Sequence, residues 1–232
     1  MLARQAHWQN VYQTKGEYDV SWFQESPAIS FDLIRATRVG TDASIIDIGG
    51  GASRLVDVLI TKGFHYITVL DLSDKALATS RGRLGKDADR VTWIVADVTT
   101  WQPTKTYSVW HDRAAFHFLT EPSDRTAYGA CVRKAVRPDG HVIIGTFALD
   151  GPERCSGLPV IRHDANSLKD MLGQSFRFIE SRRHDHRSLR FNSKIPIQSL
   201  PARRLMFPDL RIWPVNVVYV RFTPESGHVR CN

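Results

Sequence analysis

The sequence has little cysteine and no long apolar run, and each shortage removes a class of protein. Its three cysteines, Cys131, Cys155 and Cys231, are odd in number and far apart. That spacing suits neither a disulfide framework nor a zinc site, and they read as reduced thiols. No apolar stretch approaches the roughly 20 residues of a membrane span. Met1–Asn10 is polar and carries His7 and Trp8 where a signal peptide would need an apolar core. A cytoplasmic protein without membrane contact is expected. Acidic excess is also missing: the formal charge is +7. Ten Lys/Arg face three acids from Ser181 onward, so the whole excess sits in the last stretch and the body before it is neutral. A neutral body without a basic stripe argues against a nucleic-acid partner, although a basic tail can still bind phosphates.

What is there is enough for a core: 232 residues, 42% of them hydrophobic. One domain is expected, with lid helices in residues 1–40, a core in 41–184 and a basic segment in 185–232. The centre of the pattern is Ile45-Ile46-Asp47-Ile48-Gly49-Gly50-Gly51-Ala52-Ser53. A short apolar run ending in an acid and three glycines reads as a buried strand feeding a tight loop, with a helix from Ala52 to Ile60 behind it. Such a loop is either a cofactor cradle or only a strand-to-helix turn. Tyr66–Asp71 is a second strand ending in an acid, 22 residues beyond Gly49. An acid at about 20 residues past the glycines is where nucleoside-binding βαβ units hold ribose hydroxyls.

The pattern then repeats. Ser73 and Asp74 suit the cap of a helix through about Leu84, and Val91–Asp97 is a third strand with an acid at its end. Tyr107–Trp110 enters His111-Asp112-Arg113, Pro122–Val136 reads as a helix, and Pro138-Asp139-Gly140 as a turn into the strand His141–Phe147. Alternating strands and helices argue for an α/β fold with a parallel sheet covered on both faces. The glycines, Asp71, Asp97 and Asp112 all fall at carboxyl ends of strands, where such sheets bind ligands. Before them, Pro27–Arg38 reads as a helix with Ile29, Leu33 and Ile34 on one face. The aromatic lead around Tyr12 and Trp22 is either a packed flap or a lid over the site.

The sixth position of the pattern counted from Gly49 is Arg54, where a dinucleotide fingerprint needs Gly or Ala for close packing of helix on strand. A P-loop lysine is absent as well. On these residues the chain resembles the class I S-adenosylmethionine-dependent methyltransferases over roughly Trp8–His184. Ser53 stands where a third glycine of the first motif is frequent. The resemblance implies a Rossmann-like, mostly parallel seven-stranded sheet whose last strand is antiparallel, and S-adenosylmethionine as cofactor, with S-adenosylhomocysteine as product. It implies that Gly49, Gly50 and Gly51 pass along the methionine part of the cofactor with Asp47 bracing them. Asp71 would hold the ribose with Leu72 against the adenine, and Asp97 and Val98 would read the adenine edge. Tyr12, Trp22 and His111 would complete the cofactor site.

Trp110-His111-Asp112-Arg113-Ala114-Ala115-Phe116, with Asp124-Arg125 and Tyr128, is similar to the thiopurine methyltransferase-type enzymes. So is the layout from Gly151-Pro152 to Leu172-Gly173. A likeness to protein lysine methyltransferases leaves the acceptor open between a small thiol or other chalcogen and a protein lysine; a cofactor-binding domain with impaired catalysis is the third reading. Methyl transfer is an in-line displacement on an activated carbon, so the protein mainly aligns and excludes water, and no metal is required. Asp112, Arg113 and His117 are the candidates for acceptor handling: the guanidinium can orient an anionic nucleophile, and His111 or His117 can serve as a base. Cys155 sits in a loop that can cover the site, but direct transfer needs no covalent enzyme intermediate.

Beyond about Arg183 the resemblance stops. Ser188–Pro201, back-translated with permissive codons and read one base later, can spell RFGSTQKFQYSRF, which is similar to the family's closing turn and strand. A shifted reading frame is the expectation this raises. Val215–Phe222 is the remaining strand candidate, and it is expected to supply the last strand.

Overall fold

The computed structural model of the protein describes residues 2–20, 22–189 and 210–223. Helix α1 (Leu2–Thr14) and a single turn at Glu17–Asp19 precede α2 (Ala28–Ala36). Strand β1 (Ser44–Ile48) then leads through α3 (Leu55–Thr61), β2 (Tyr66–Asp71) and α4 (Asp74–Leu84) to β3 (Val91–Val95). Next come β4 (Tyr107–Arg113), α5 (Pro122–Ala135), β5 (Val136–Phe147) and a hairpin of two-residue strands, β6 (Arg154–Cys155) and β7 (Leu158–Pro159). Helix α6 (Ala165–Leu172), β8 (Phe176–Leu189) and β9 (Leu210–Phe222) end the described chain.

Seven strands form one sheet in the order β3-β2-β1-β4-β5-β9-β8. The first five are mutually parallel, and β9 runs antiparallel to both β5 and β8. The chain winds outward from β1 to β3 and returns to β4 beside β1. The switch point, and hence the crevice, therefore lies at the carboxyl ends of β1 and β4. Successive strand residues point to opposite faces, and both faces are covered. Ile46, Ile48, Trp110 and Val142 bury on the face of α5 and α6. Ile45, Val109 and Ile143 bury on the other face, with Leu33 and Ile34 of α2 and Leu55 and Leu59 of α3. Each such side chain contributes about 1.5–3 kcal/mol by leaving water, which is what makes the register of the central strands unambiguous.

Element ends differ from the sequence reading for local reasons. Helix α2 ends at Ala36 rather than Arg38, because Arg38 takes a left-handed conformation (φ 60°). Helix α3 begins at Leu55 rather than Ala52, because Ser53 N donates to Gly50 O at 2.7 Å and closes a turn first. Strand β3 stops at Val95, leaving Asp97 just past its end. The expected turn at Pro138–Gly140 is a bulge inside β5: pairing with β4 steps from Tyr107 opposite Val136 to Val109 opposite His141.

The expected last strand forms. In β9, Val218 and Val220 bury on one face and Val217 and Tyr219 on the other, so this segment closes the sheet with the required alternation. Apart from Ser188 and Leu189, the stretch read as a shifted frame lies outside the described residues, as does Cys231. Part of the basic excess is paired: Arg182 with Glu180, Arg183 with Asp150 and Arg221 with Asp139.

Candidate functional site

The three glycines are demanded by three different neighbours. Gly49 (φ 66°) would place a Cβ 2.7 Å from Ala115 Cβ, in the turn after β4. A Cβ on Gly50 would lie 2.5 Å from Asp47 Oδ2. Gly51 (φ 23°) would place one 2.7 Å from Asp71 Oδ2 and 2.9 Å from Ala76 Cβ. Backbone here runs where side chains cannot, directly over two carboxylates. Asp47 holds the loop from beneath, its Oδ1 2.7 Å from His111 Nδ1, a pair set by the β1–β4 register that puts the two residues opposite each other.

The loop, the strand ends and α1 enclose a cleft of about 1080 Å³, its open mouth included. Of the residues singled out from sequence, Gly49, Asp71, Leu72, Asp97 and Val98 line it on one side. Tyr12, Trp22, Arg113 and His117 line the rest, together with Cys155. Asp47, Gly50, Gly51, His111 and Asp112 do not line it; they stand behind it as support. Asp112 Oδ1 accepts from Ala115 N at 2.9 Å and Phe116 N at 3.3 Å, and Oδ2 accepts from the Tyr128 hydroxyl at 2.7 Å. Burial pushes this carboxyl up to about 6. Its geometry is that of a group ordering the turn from Ala114 to His117, in which Ala114 is held at φ 71°.

Asp71 Oδ1 accepts from Ser73 N at 2.7 Å, and burial, reinforced by Asp47, pushes its carboxyl up to about 7. Asp97 Oδ1 accepts from Thr99 N at 2.9 Å and Thr99 Oγ1 at 2.7 Å. The cleft is roofed by aromatic rings: Trp22 Nε1 donates to the Tyr12 hydroxyl at 3.3 Å, and Trp8 meets Phe118 edge-on at 4.9 Å. Burial pushes the Tyr12 phenol far above its ordinary range, so it stays protonated.

The other half of the cleft has a different character. Arg113 has no hydrogen bond or ion pair from its guanidinium among the described residues; burial lowers it to about 10, which leaves it charged. Both ring nitrogens of His117 and the Thr146 hydroxyl are buried without a hydrogen-bond partner among the described residues. His117 stacks on Phe147 at 4.6 Å, and burial holds it down at about 3, so the imidazole is neutral and a poor proton acceptor. Burial also raises the Cys155 thiol. Arg4, Phe118, Thr146 and Phe147 were not foreseen from sequence. Thr146 and Phe147 end β5, so the strand-end rule that found the acids extends to them; nothing in the pattern pointed to Arg4.

Residues 45–140 match a family described as methyltransferase domain. A relative, thiocyanate methyltransferase 1 of Arabidopsis thaliana, is 30% identical over 110 residues, 47% of this chain and 47% of that protein. The chain thus spans about half the length of the curated relative it matches. An S-adenosylmethionine-dependent methyltransferase from Anabaena variabilis superposes with a TM-score of 0.70 at 14% identity, covering 95% of this chain and 93% of that one. The 1,6-didemethyltoxoflavin N1-methyltransferase of Burkholderia thailandensis, solved with S-adenosylhomocysteine, gives 0.61 at 19% identity over 96% and 85%. Strand order and glycine loop together define the Rossmann-like fold that these methyltransferase structures share. Over residues 45–140 the chain is similar to methyltransferase domains, and over nearly its whole length its fold is that of S-adenosylmethionine-dependent methyltransferase structures. No helix among the described residues is long and apolar enough to cross a membrane.

Proposed function

We propose that this protein transfers a methyl group from S-adenosylmethionine to a small, anionic, soft nucleophile, a thiolate or other chalcogen anion. One observation carries the choice of acceptor: among the described residues Arg113 makes no hydrogen bond or ion pair in the cleft, drawing only on the more distant charge of Asp47 outside it, and the carboxylates that line the cleft are Asp71 and Asp97. A buried cation without a partner is costly, and an anionic ligand relieves that cost.

The donor half suits the cofactor. The glycine loop offers close backbone approach, Asp71 can take ribose hydroxyls, Asp97 can take the adenine amine, and Tyr12 and Trp22 offer ring faces to a cation. When bound, S-adenosylmethionine supplies a methyl carbon activated by its sulfonium. The residues around it hold, orient and exclude water. Arg113 gathers and orients the anion, the N–H of neutral His117 and the Thr146 hydroxyl can donate to it, and Trp8, Phe118 and Phe147 keep the path dry. A soft anion needs no base, and His117, held at about 3, is too weak to serve as one. A protein lysine would need both a base and an escape from the Arg113 charge. The thiocyanate methyltransferase relative agrees with an anionic acceptor.

The test is transfer of labelled methyl to hydrosulfide, thiocyanate and small thiols, beside a lysine peptide. Arg113→Met should cut kcat/KM for anions by about 100-fold, the loss of one buried charged hydrogen bond of roughly 3 kcal/mol. Labelling of the peptide with none of the anions would sink this reading.

A further inference from the structure

Helix α1 lies across the cleft and is fastened by side chains to the strand ends beneath it. Gln5 Nε2 donates to Leu72 O at 3.3 Å, and Gln9 Oε1 accepts from Ser73 Oγ at 3.0 Å and Lys75 N at 3.2 Å. Arg4 makes the charged contacts: Nη2 to Asp97 Oδ2 at 3.1 Å and Nη1 to Asp124 Oδ2 at 2.9 Å. Asp97 Oδ1 is already occupied by Thr99, so Oδ2 is the acceptor it can offer to a ligand. With Arg4 seated there, the Asp97 side chain is 2% exposed. A ligand donor that approaches that oxygen from the cleft competes with Arg4 for it.

A nucleoside brings two kinds of donor, ribose hydroxyls and a base amine. The cleft offers two carboxylates among its described residues, Asp71 under the glycine loop and Asp97 beyond Leu72. Arg4 lines the same cleft, so guanidinium and base amine compete for Asp97. Asp124, on α5, does not line the cleft and is 30% exposed, which makes it a partner Arg4 can keep while the cleft fills. The fork of donors on a guanidinium allows this exchange without loss of charge pairing.

We propose that Arg4 is a latch on the cofactor cleft: it closes α1 over Asp97 in the free protein, then yields Asp97 and holds Asp124 when the cofactor enters. This rests on the S-adenosylmethionine reading above. Arg4 is thereby a positioning residue that sets how readily the cleft opens and keeps the lid fastened afterwards.

Two measurements test it, both on the full chain with S-adenosylhomocysteine as probe. Arg4→Met keeps the apolar stem and removes the competition, so calorimetry should show binding about fivefold tighter than wild type, the size of one partly exposed ion pair. Asp124→Asn removes only the second anchor. Hydrogen exchange should show α1 of that variant protected as in wild type without ligand, but less protected than the wild-type complex once ligand is bound. Equal or weaker binding by Arg4→Met overturns the latch alone. So does α1 protection in Asp124→Asn that matches wild type in both states. Absence of binding to wild type overturns the latch and the cofactor reading together.

Discussion

Arg83 on α4 donates to Glu17 Oε2 at 3.1 Å from the same guanidinium that donates to Ala52 O at 3.3 Å and Ser53 O at 2.8 Å. It also holds Asp57 of α3 through two bonds of 2.9 and 2.7 Å. One side chain therefore joins the turn between Tyr12 and Trp22 to the backbone that follows the glycines. Arg54, which argued against a dinucleotide, pairs with the same Glu17 at 2.7 Å and lies over the rings of Tyr18 and Phe23. Arg83→Met should cost about 2–3 kcal/mol in urea unfolding, because it removes the partner of Asp57 and of two carbonyls and leaves Glu17 to Arg54 alone. Glu17→Gln should cost only about 1 kcal/mol, since Arg83 keeps Asp57. Equal losses for both variants would show that Glu17, not Arg83, holds the assembly.

Gly51→Val should abolish binding of S-adenosylmethionine and its product. A Cβ there meets Asp71 Oδ2 at 2.7 Å, so the carboxylate must move, and a branched residue is strained at φ 23°. The backbone strain alone is worth about 1–3 kcal/mol. Affinity measured by calorimetry on folded variant decides; unaltered affinity would return the loop to a plain strand-to-helix turn.

Cofactor affinity should rise with pH through neutrality. Asp71 is raised from 3.8 to about 7 in the free protein, so between those values the native state binds a proton that the unfolded chain does not. This contribution to stability is present at low pH, falls as pH climbs from about 4 to 7, and is gone above. Ribose hydroxyls donate to the ionised form, so binding must release that proton below about 7, and affinity gains up to tenfold per pH unit there. Calorimetry with S-adenosylhomocysteine at pH 6, 7 and 8 should show the slope in wild type and its loss in Asp71→Asn, which also controls for titration of the ligand's own amine.

Tyr128→Phe should destabilise the protein by about 1–3 kcal/mol, because it leaves Asp112 Oδ2 and Trp110 Nε1 buried without their shared partner. If Asp112 acts only by ordering the turn that carries Arg113 and His117, the variant should raise KM for the acceptor more than it lowers kcat. A collapse in kcat alone, with KM unchanged, would instead argue for a chemical role of Asp112.

Much of the fold and half of the site were legible from residue order. Strand-end acids, glycine spacing and alternating elements are local patterns, and topology carries them to one edge of the sheet whatever the details. Roles within the site were less legible. Asp112 and His111 stand in the same pattern as Asp71 and Asp97, yet strand register turns them into the support, and burial, reinforced by His163 and Arg113, makes His117 too weak a base to accept a proton. Arg4 sits in a polar lead with no motif around it, and its bond to Asp97 spans 93 residues of chain.

By itself, then, the sequence determined the parallel α/β sheet, the three-glycine loop and its acids, because apolar periodicity and glycine permissiveness act over a few residues. Tertiary structure alone decided that all three glycines are required by separate neighbours, that Arg113 has no hydrogen bond or ion pair among the described residues, and that Arg4 closes over Asp97. Those facts depend on which distant groups share a buried space, where desolvation sets the cost of every unpaired charge.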